Sequence, residues 1–83
     1  MRVLYFALLR ERVGIPEETV TPPADVRTVA DLVAWLRGRS AQHEAALADA
    51  ALVRVAVNQD YARPDQAVAP GDEIAFFPPV TGG

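Results

Sequence analysis

The chain contains no cysteine and no lysine. Without cysteine there are no disulfides, no thiolate nucleophile and no thiolate metal ligands. Any sulfur chemistry must therefore use sulfur supplied from elsewhere. Without lysine every basic side chain is an arginine, so copies of the chain cannot be joined through lysine amines. Repeats, low-complexity tracts and linkers are also missing, and no apolar run approaches the length of a membrane span. The run Val3 to Leu9 lies at the short edge of a signal-peptide core, but Arg10-Glu11-Arg12 stands where a small-residue cleavage site belongs. The expected location is the cytoplasm. The eight cations are scattered singly in a chain of net charge −3, which argues against nucleic acid or an anionic membrane as a partner.

What is present suits one small domain. At 83 residues, with 51% hydrophobic and 23% charged side chains, the chain has enough apolar surface for a single core. Val3–Ala7 reads as a strand, Leu8–Val13 as one or two helical turns stopped by Gly14, and Glu17–Thr21 as a short strand. Thr28 and Asp31 form a capping-box pattern. Val29, Leu32, Val33 and Leu36 then follow at the spacing of one helix face, with Gly38 to end it. A weaker helix pattern runs through SAQHEAALAD with Ser40 as its cap. Val53–Val57 alternates as a strand, a short strand is expected near Tyr61, Pro70-Gly71-Asp72 is a turn, and Glu73–Phe77 is the last strand. This order predicts an α+β domain over residues 1–77, a mixed sheet with the main helix packed on one face, followed by an extended tail over 78–83.

Alternate side chains of a strand point to opposite faces. The valines of Val53–Val57 share one face and leave Arg54 and Ala56 on the other. The first and last strands are apolar on both sides: Val3 and Tyr5 oppose Leu4 and Phe6, while Ile74 and Phe76 oppose Ala75 and Phe77. Such strands are normally buried on both faces. Either the second helix or a loop folds over the back of the sheet, or Leu4, Phe6, Ala75 and Phe77 form a patch completed by another protein. Burying the two phenylalanines would contribute about 3–6 kcal/mol before association costs.

The chain ends in FFPPVTGG. Pro78 and Pro79 fix their own φ and hold the preceding residue extended, so the chain leaves the sheet stiffly. Val80 to Gly83 then reach at most about 14 Å, and Gly82 and Gly83 fit a slot too narrow for a side chain. A frayed end is the ordinary reading of a Gly-Gly terminus. Here the stiff root, set directly on a strand, points instead to a tail built to enter another protein's active site.

The segments GDEIAFFPPVTGG, FALLRE and VAVNQ together resemble the small-subunit family of molybdopterin synthase, a family of ubiquitin-like (β-grasp) sulfur carriers, over nearly the whole chain. The resemblance implies that the Gly83 carboxylate is adenylated by an ATP-using enzyme related to ubiquitin-activating enzymes, and that a sulfur donor system converts it to a thiocarboxylate. It implies that the large subunit, in a heterotetramer of two small and two large subunits, takes up Pro78, Pro79, Val80, Thr81, Gly82 and Gly83. Sulfur then passes to a cyclic pyranopterin to build the molybdopterin dithiolene. The resemblance also places the large-subunit contact at Phe6, Tyr61 and Phe77. No bound cofactor or metal is implied; ATP belongs to the activating enzyme.

The residues themselves argue against an independent enzyme. The single histidine, His43, lacks a partner at helical spacing and reads as a solvated residue, and Asp72-Glu73 reads as part of a turn. No nucleophile–base pair, metal-ligand cluster or phosphate loop is present. The alternatives are a thiazole-pathway sulfur carrier, whose family is typically shorter and lacks FALLRE and FFPPV, a ubiquitin-like modifier of other proteins, and an interaction domain with an idle tail.

Overall fold

The computed structural model describes residues 1–79. Five strands form one mixed sheet: β1 (Arg2–Tyr5), β2 (Glu17–Thr19), β3 (Arg54–Val57), β4 (Asp60–Tyr61) and β5 (Glu73–Phe77), in the spatial order β2-β1-β5-β3-β4. Helices α1 (Ala7–Val13), α2 (Val29–Arg37) and α3 (Ala41–Leu47) and a 3-10 turn at Ala50–Leu52 complete the described elements. The first and last strands pair in parallel at the centre, with Val3 opposite Ile74 and Tyr5 opposite Phe76. This is the ubiquitin-like β-grasp arrangement expected from the sequence, and it puts β5, the last strand, in the middle of the sheet.

Parity decides the layers. Val3, Tyr5, Val55, Val57, Ile74 and Phe76 are buried in one cluster with Leu9, Leu32, Leu36 and Leu47 from the three helices. All the strand residues in that cluster come from one face, so every helix lies on that side. The second predicted helix therefore joins the core and does not fold over the back. Burying a residue such as Phe76, which is fully covered, stabilises the fold by about 1.5–3 kcal/mol.

The Thr28–Asp31 capping box forms in both directions: Thr28 Oγ1 accepts from the Asp31 N–H, and Asp31 Oδ2 accepts from the Thr28 N–H. The Asp31 carboxyl is held below its usual range, chiefly by the Arg27 N–H with help from Thr28. Of the predicted apolar stripe, Val29, Leu32 and Leu36 are buried and Val33 lies at the margin. Gly38 ends α2 in a right-handed conformation, whereas Gly14 ends α1 at φ 93°, where a glycine is strongly preferred.

Several boundaries differ from expectation. β1 begins one residue early, at Arg2, and α1 one residue early, at Ala7. β1 stops at Tyr5 rather than Ala7, because Ala7 takes φ 52° and turns the chain into α1. β2 ends at Thr19, two residues early, and β3 starts at Arg54 because Val53 closes the 3-10 turn.

His43 is the larger correction. It is buried, 8% exposed, where the sequence suggested a solvated side chain. Its Nε2 lies 2.7 Å from Glu18 Oε2 on β2, and its Nδ1 lies 2.7 Å from Ser40 Oγ, the cap of α3. An ionised carboxylate can only accept, so Nε2 carries the proton, and in the neutral ring Nδ1 accepts from the serine hydroxyl. The Tyr5 hydroxyl also donates to Glu18 Oε2 at 2.7 Å. Burial and the neighbouring carboxylate push the Tyr5 phenol up. For Glu18, burial acts upward, but the hydrogen bonds from His43 and Tyr5 and the charge of Arg39 outweigh it, so its carboxyl sits below the usual range. The cluster ties α3 to β1 and β2.

Candidate partner interface

Among the described residues, the opposite face of the sheet carries no helix. The strand register lines up one row across all five strands: Glu17, Leu4, Ala75, Ala56 and Tyr61. The next row brings Phe77 opposite Arg54, with Phe6 just past the end of β1. Small alanines at the centre, flanked by Leu4, Tyr61 and Phe77, make a shallow apolar saddle. Phe6 is 47% exposed and Tyr61 83% exposed, which is unusual for aromatic side chains on a small domain.

Local chain chemistry holds each aromatic in place. Phe6 stays extended (φ −122°, ψ 150°) and donates its N–H to the Phe76 carbonyl at 3.0 Å, continuing the β1–β5 ladder by one residue. The abrupt left-handed turn at Ala7 then diverts the chain before Phe6 can be covered. A non-glycine residue there costs about 1–2 kcal/mol, and that strain is carried at the edge of the candidate interface.

Tyr61 is positioned by the VAVNQ segment. Asn58 and Gln59 both have positive φ, 51° and 72°, and link β3 to β4 as a two-residue hairpin turn. The turn puts Tyr61 opposite Ala56, with its ring 5.8 Å from that of Phe77. Asn58 does more than turn the chain. Its Oδ1 accepts from the Glu73 N–H and its Nδ2 donates to Asp72 Oδ1, each at 3.0 Å, clamping the hairpin to the start of β5. Asp72 in turn accepts from the Ala69 N–H at 2.7 Å, so this residue serves the turn that the sequence suggested.

Alternation selects Phe6 and Phe77 and the family resemblance adds Tyr61; the fold brings all three to the same uncovered side. In the sequence Asn58, the residue that sets Tyr61's register, stands out only as part of VAVNQ; asparagine's tolerance of positive φ in turns is the signal that marks it. Pro78 and Pro79 are half-buried at the end of β5. Val80, Thr81, Gly82 and Gly83 lie outside the described residues. Among the described residues no group of three or more His, Asp or Glu could hold a metal ion, and no helix is long and apolar enough to cross a membrane.

A domain with a helix-backed sheet, an aromatic face and a C-terminal strand leading to Gly-Gly has close relatives. The ThiS family model matches residues 3–83. The chain belongs to the ThiS family. It is 43% identical to the molybdopterin synthase sulfur carrier subunit of Escherichia coli (strain K12), over 100% of this chain and 99% of that protein. It is 39% identical to the subunit of the same name from Haemophilus influenzae, again over 100% and 99%. Among solved structures, SAMP1 of Haloferax volcanii, a small archaeal modifier protein, superposes with a TM-score of 0.77 at 33% identity, covering 100% of this chain and 98% of that one. Within the family the chain is of the molybdopterin synthase small-subunit type, a carrier that works with a larger catalytic subunit.

Proposed function

We propose that the chain carries sulfur on its C-terminus for molybdopterin synthesis, and that its uncovered face and tail are the parts its partners hold. The Gly83 carboxylate attacks the α-phosphate of ATP on an activating enzyme, releasing pyrophosphate and leaving an acyl-adenylate. Adenylate is a good leaving group where the carboxylate's own oxygen is not. Sulfide-level sulfur from a donor attacks the acyl carbon, displaces AMP and leaves a thiocarboxylate. In the large subunit the thiocarboxylate sulfur bonds to a cyclic pyranopterin, and water then cleaves the acyl carbon–sulfur bond, leaving the sulfur on the pterin and returning the carrier as a carboxylate. Two small and two large subunits make the working assembly, in the cytoplasm. The chain itself supplies no acid, base or cofactor; catalytic groups come from the partners.

The observation that carries this reading is the full-length match to sulfur carrier subunits, joined to the geometry at the end of β5. Phe77 and Phe6 flank the point where the tail leaves, so a partner seated on the aromatic face also receives Pro78 to Gly83. The experiment is an intact mass after incubation with the cognate activating enzyme, ATP and a sulfur source. A gain equal to the difference between sulfur and oxygen supports the carrier. No gain, with an enzyme proven on another carrier, overturns it.

The likeness to SAMP1 favours one second reading, a modifier joined to amines of other proteins. The same activated reaction, run with lysine-bearing proteins in place of the sulfur source, separates the two: amide-linked conjugates support a modifier.

A further inference from the structure

β3 is four residues long, but β4 pairs only with its last two, Ala56 and Val57. Beyond them the Ala62 N–H donates to the Val55 carbonyl at 2.9 Å. The chain then departs for the start of α2, where the Pro64 and Gln66 carbonyls accept from Ala30 and Val29. Among the described residues, Arg54's half of β3 therefore has a strand beside it only on the β5 side. Alternate residues of an antiparallel strand turn their backbone groups to opposite edges. Arg54 and Ala56 turn theirs to β5, so Val53 and Val55 turn theirs to the other edge. There the Val53 N–H is taken by the Ala50 carbonyl at 3.3 Å and the Val55 carbonyl by Ala62, leaving the Val53 carbonyl and the Val55 N–H to pair.

Beside that edge lies a groove of about 480 Å³, lined by Val29, Val53, Val55, Pro64, Tyr61 and Phe77. It continues along α2 into a second hollow of about 240 Å³ that shares its valines and Pro64. Arg54 also lines the groove and sits in register with Phe77 on the uncovered face. Arg2, Arg37 and Arg39 are each paired with a glutamate, whereas Arg54, like Arg10, Arg12, Arg27 and Arg63, has no ion-pair partner among the described residues, and of these five only Arg54 lines the groove.

We propose that an extended segment of the large subunit lies in this groove, pairs along the open edge of β3, and sets a carboxylate side chain beside Arg54. The proposal rests on the reading that the large subunit covers the aromatic face. Three features select this occupant. An open ladder is satisfied best by another strand's backbone. The apolar walls call for apolar side chains at alternate positions of that strand. The residue laterally opposite Arg54 falls on the uncovered face, where opposite charges pair favourably across strands. Because the groove includes Tyr61 and Phe77, one partner covers both features continuously. The ion pair also fixes the register, since a slip of one residue would turn the carboxylate to the wrong face.

The test is titration of the wild type and Arg54→Glu into the purified large subunit at low and high salt, after matching their melting temperatures. Arg54→Glu is expected to bind about ten-fold more weakly or worse at low salt, with the gap narrowing as salt screens the pair. Amide exchange at Val55 is expected to slow in the complex. Equal affinities overturn the proposal while a weakened Phe77→Asp variant keeps the aromatic interface standing. An unslowed Val55 amide overturns the strand pairing. A complex indifferent to both Arg54→Glu and Phe77→Asp removes the interface reading itself.

Discussion

The two faces of the sheet have similar sequences and opposite surroundings. On β5, Ile74 and Phe76 are fully buried under the helices, while Ala75 and Phe77, one residue away, lie on the side without a helix. On β1, Val3 and Tyr5 are buried while Leu4 and Phe6 are not. Hydrophobicity alone does not distinguish the faces; cover does. One face spends its apolar side chains on folding, and the other keeps them for association.

The sharpest way to break this contrast is to truncate the covered member of the pair. Phe76→Ala should destabilise the protein by about 3–5 kcal/mol, measured by denaturant unfolding. A loss below about 1 kcal/mol would mean that the helices do not cover this face as described.

The covered side also holds the polar cluster, which makes the second prediction. Glu18→Gln should cost about 1.5–3 kcal/mol at neutral pH, because hydrogen bonds to a charged acceptor become neutral ones. The folded-state pKa of Glu18 is depressed, so its contribution is present above the unfolded value of about 4.3 and is lost as pH falls through the folded one. Melting temperature should therefore drop on acidification below about pH 4.3, and the drop should be smaller in Glu18→Gln. Parallel pH profiles would contradict the role given to the cluster.

A smaller effect belongs to the clamp between the faces. Asn58→Ala removes two side-chain hydrogen bonds and places alanine at positive φ, at a cost of about 1–2 kcal/mol. Weaker large-subunit binding should accompany it, since Tyr61 loses its fixed register; a thermal melt and a titration check both. The smallest effect is expected at Tyr61 itself. Tyr61→Ala should change stability by about 0.5 kcal/mol or less, because the side chain is mostly exposed, and should act on association instead.

Much of this is legible in the sequence, and the reasons are local. The alternation of Val53–Val57 gives the parity of the faces, and the Thr28–Asp31 spacing gives the start of α2. What was not legible depends on contacts far apart in the chain. Spacing along its own helix does not reveal the carboxylate partner of His43, because Glu18 lies 25 residues away on a strand. Ala7 has no property that announces a left-handed turn; the neighbouring elements impose it. The open half of β3 follows from β4 being only two residues long, a boundary that residue preferences do not set. Arg54 was placed on the correct face by alternation, but its lack of an ion-pair partner is a tertiary fact.

The central claim is that the uncovered face binds a partner without supporting the fold. Calorimetric titration of Phe77→Asp into the large subunit, beside its own thermal melt, tests it most directly. The account predicts a loss of about 2 kcal/mol or more in binding with stability changed by no more than about 1–2 kcal/mol. Wild-type affinity in Phe77→Asp would contradict it.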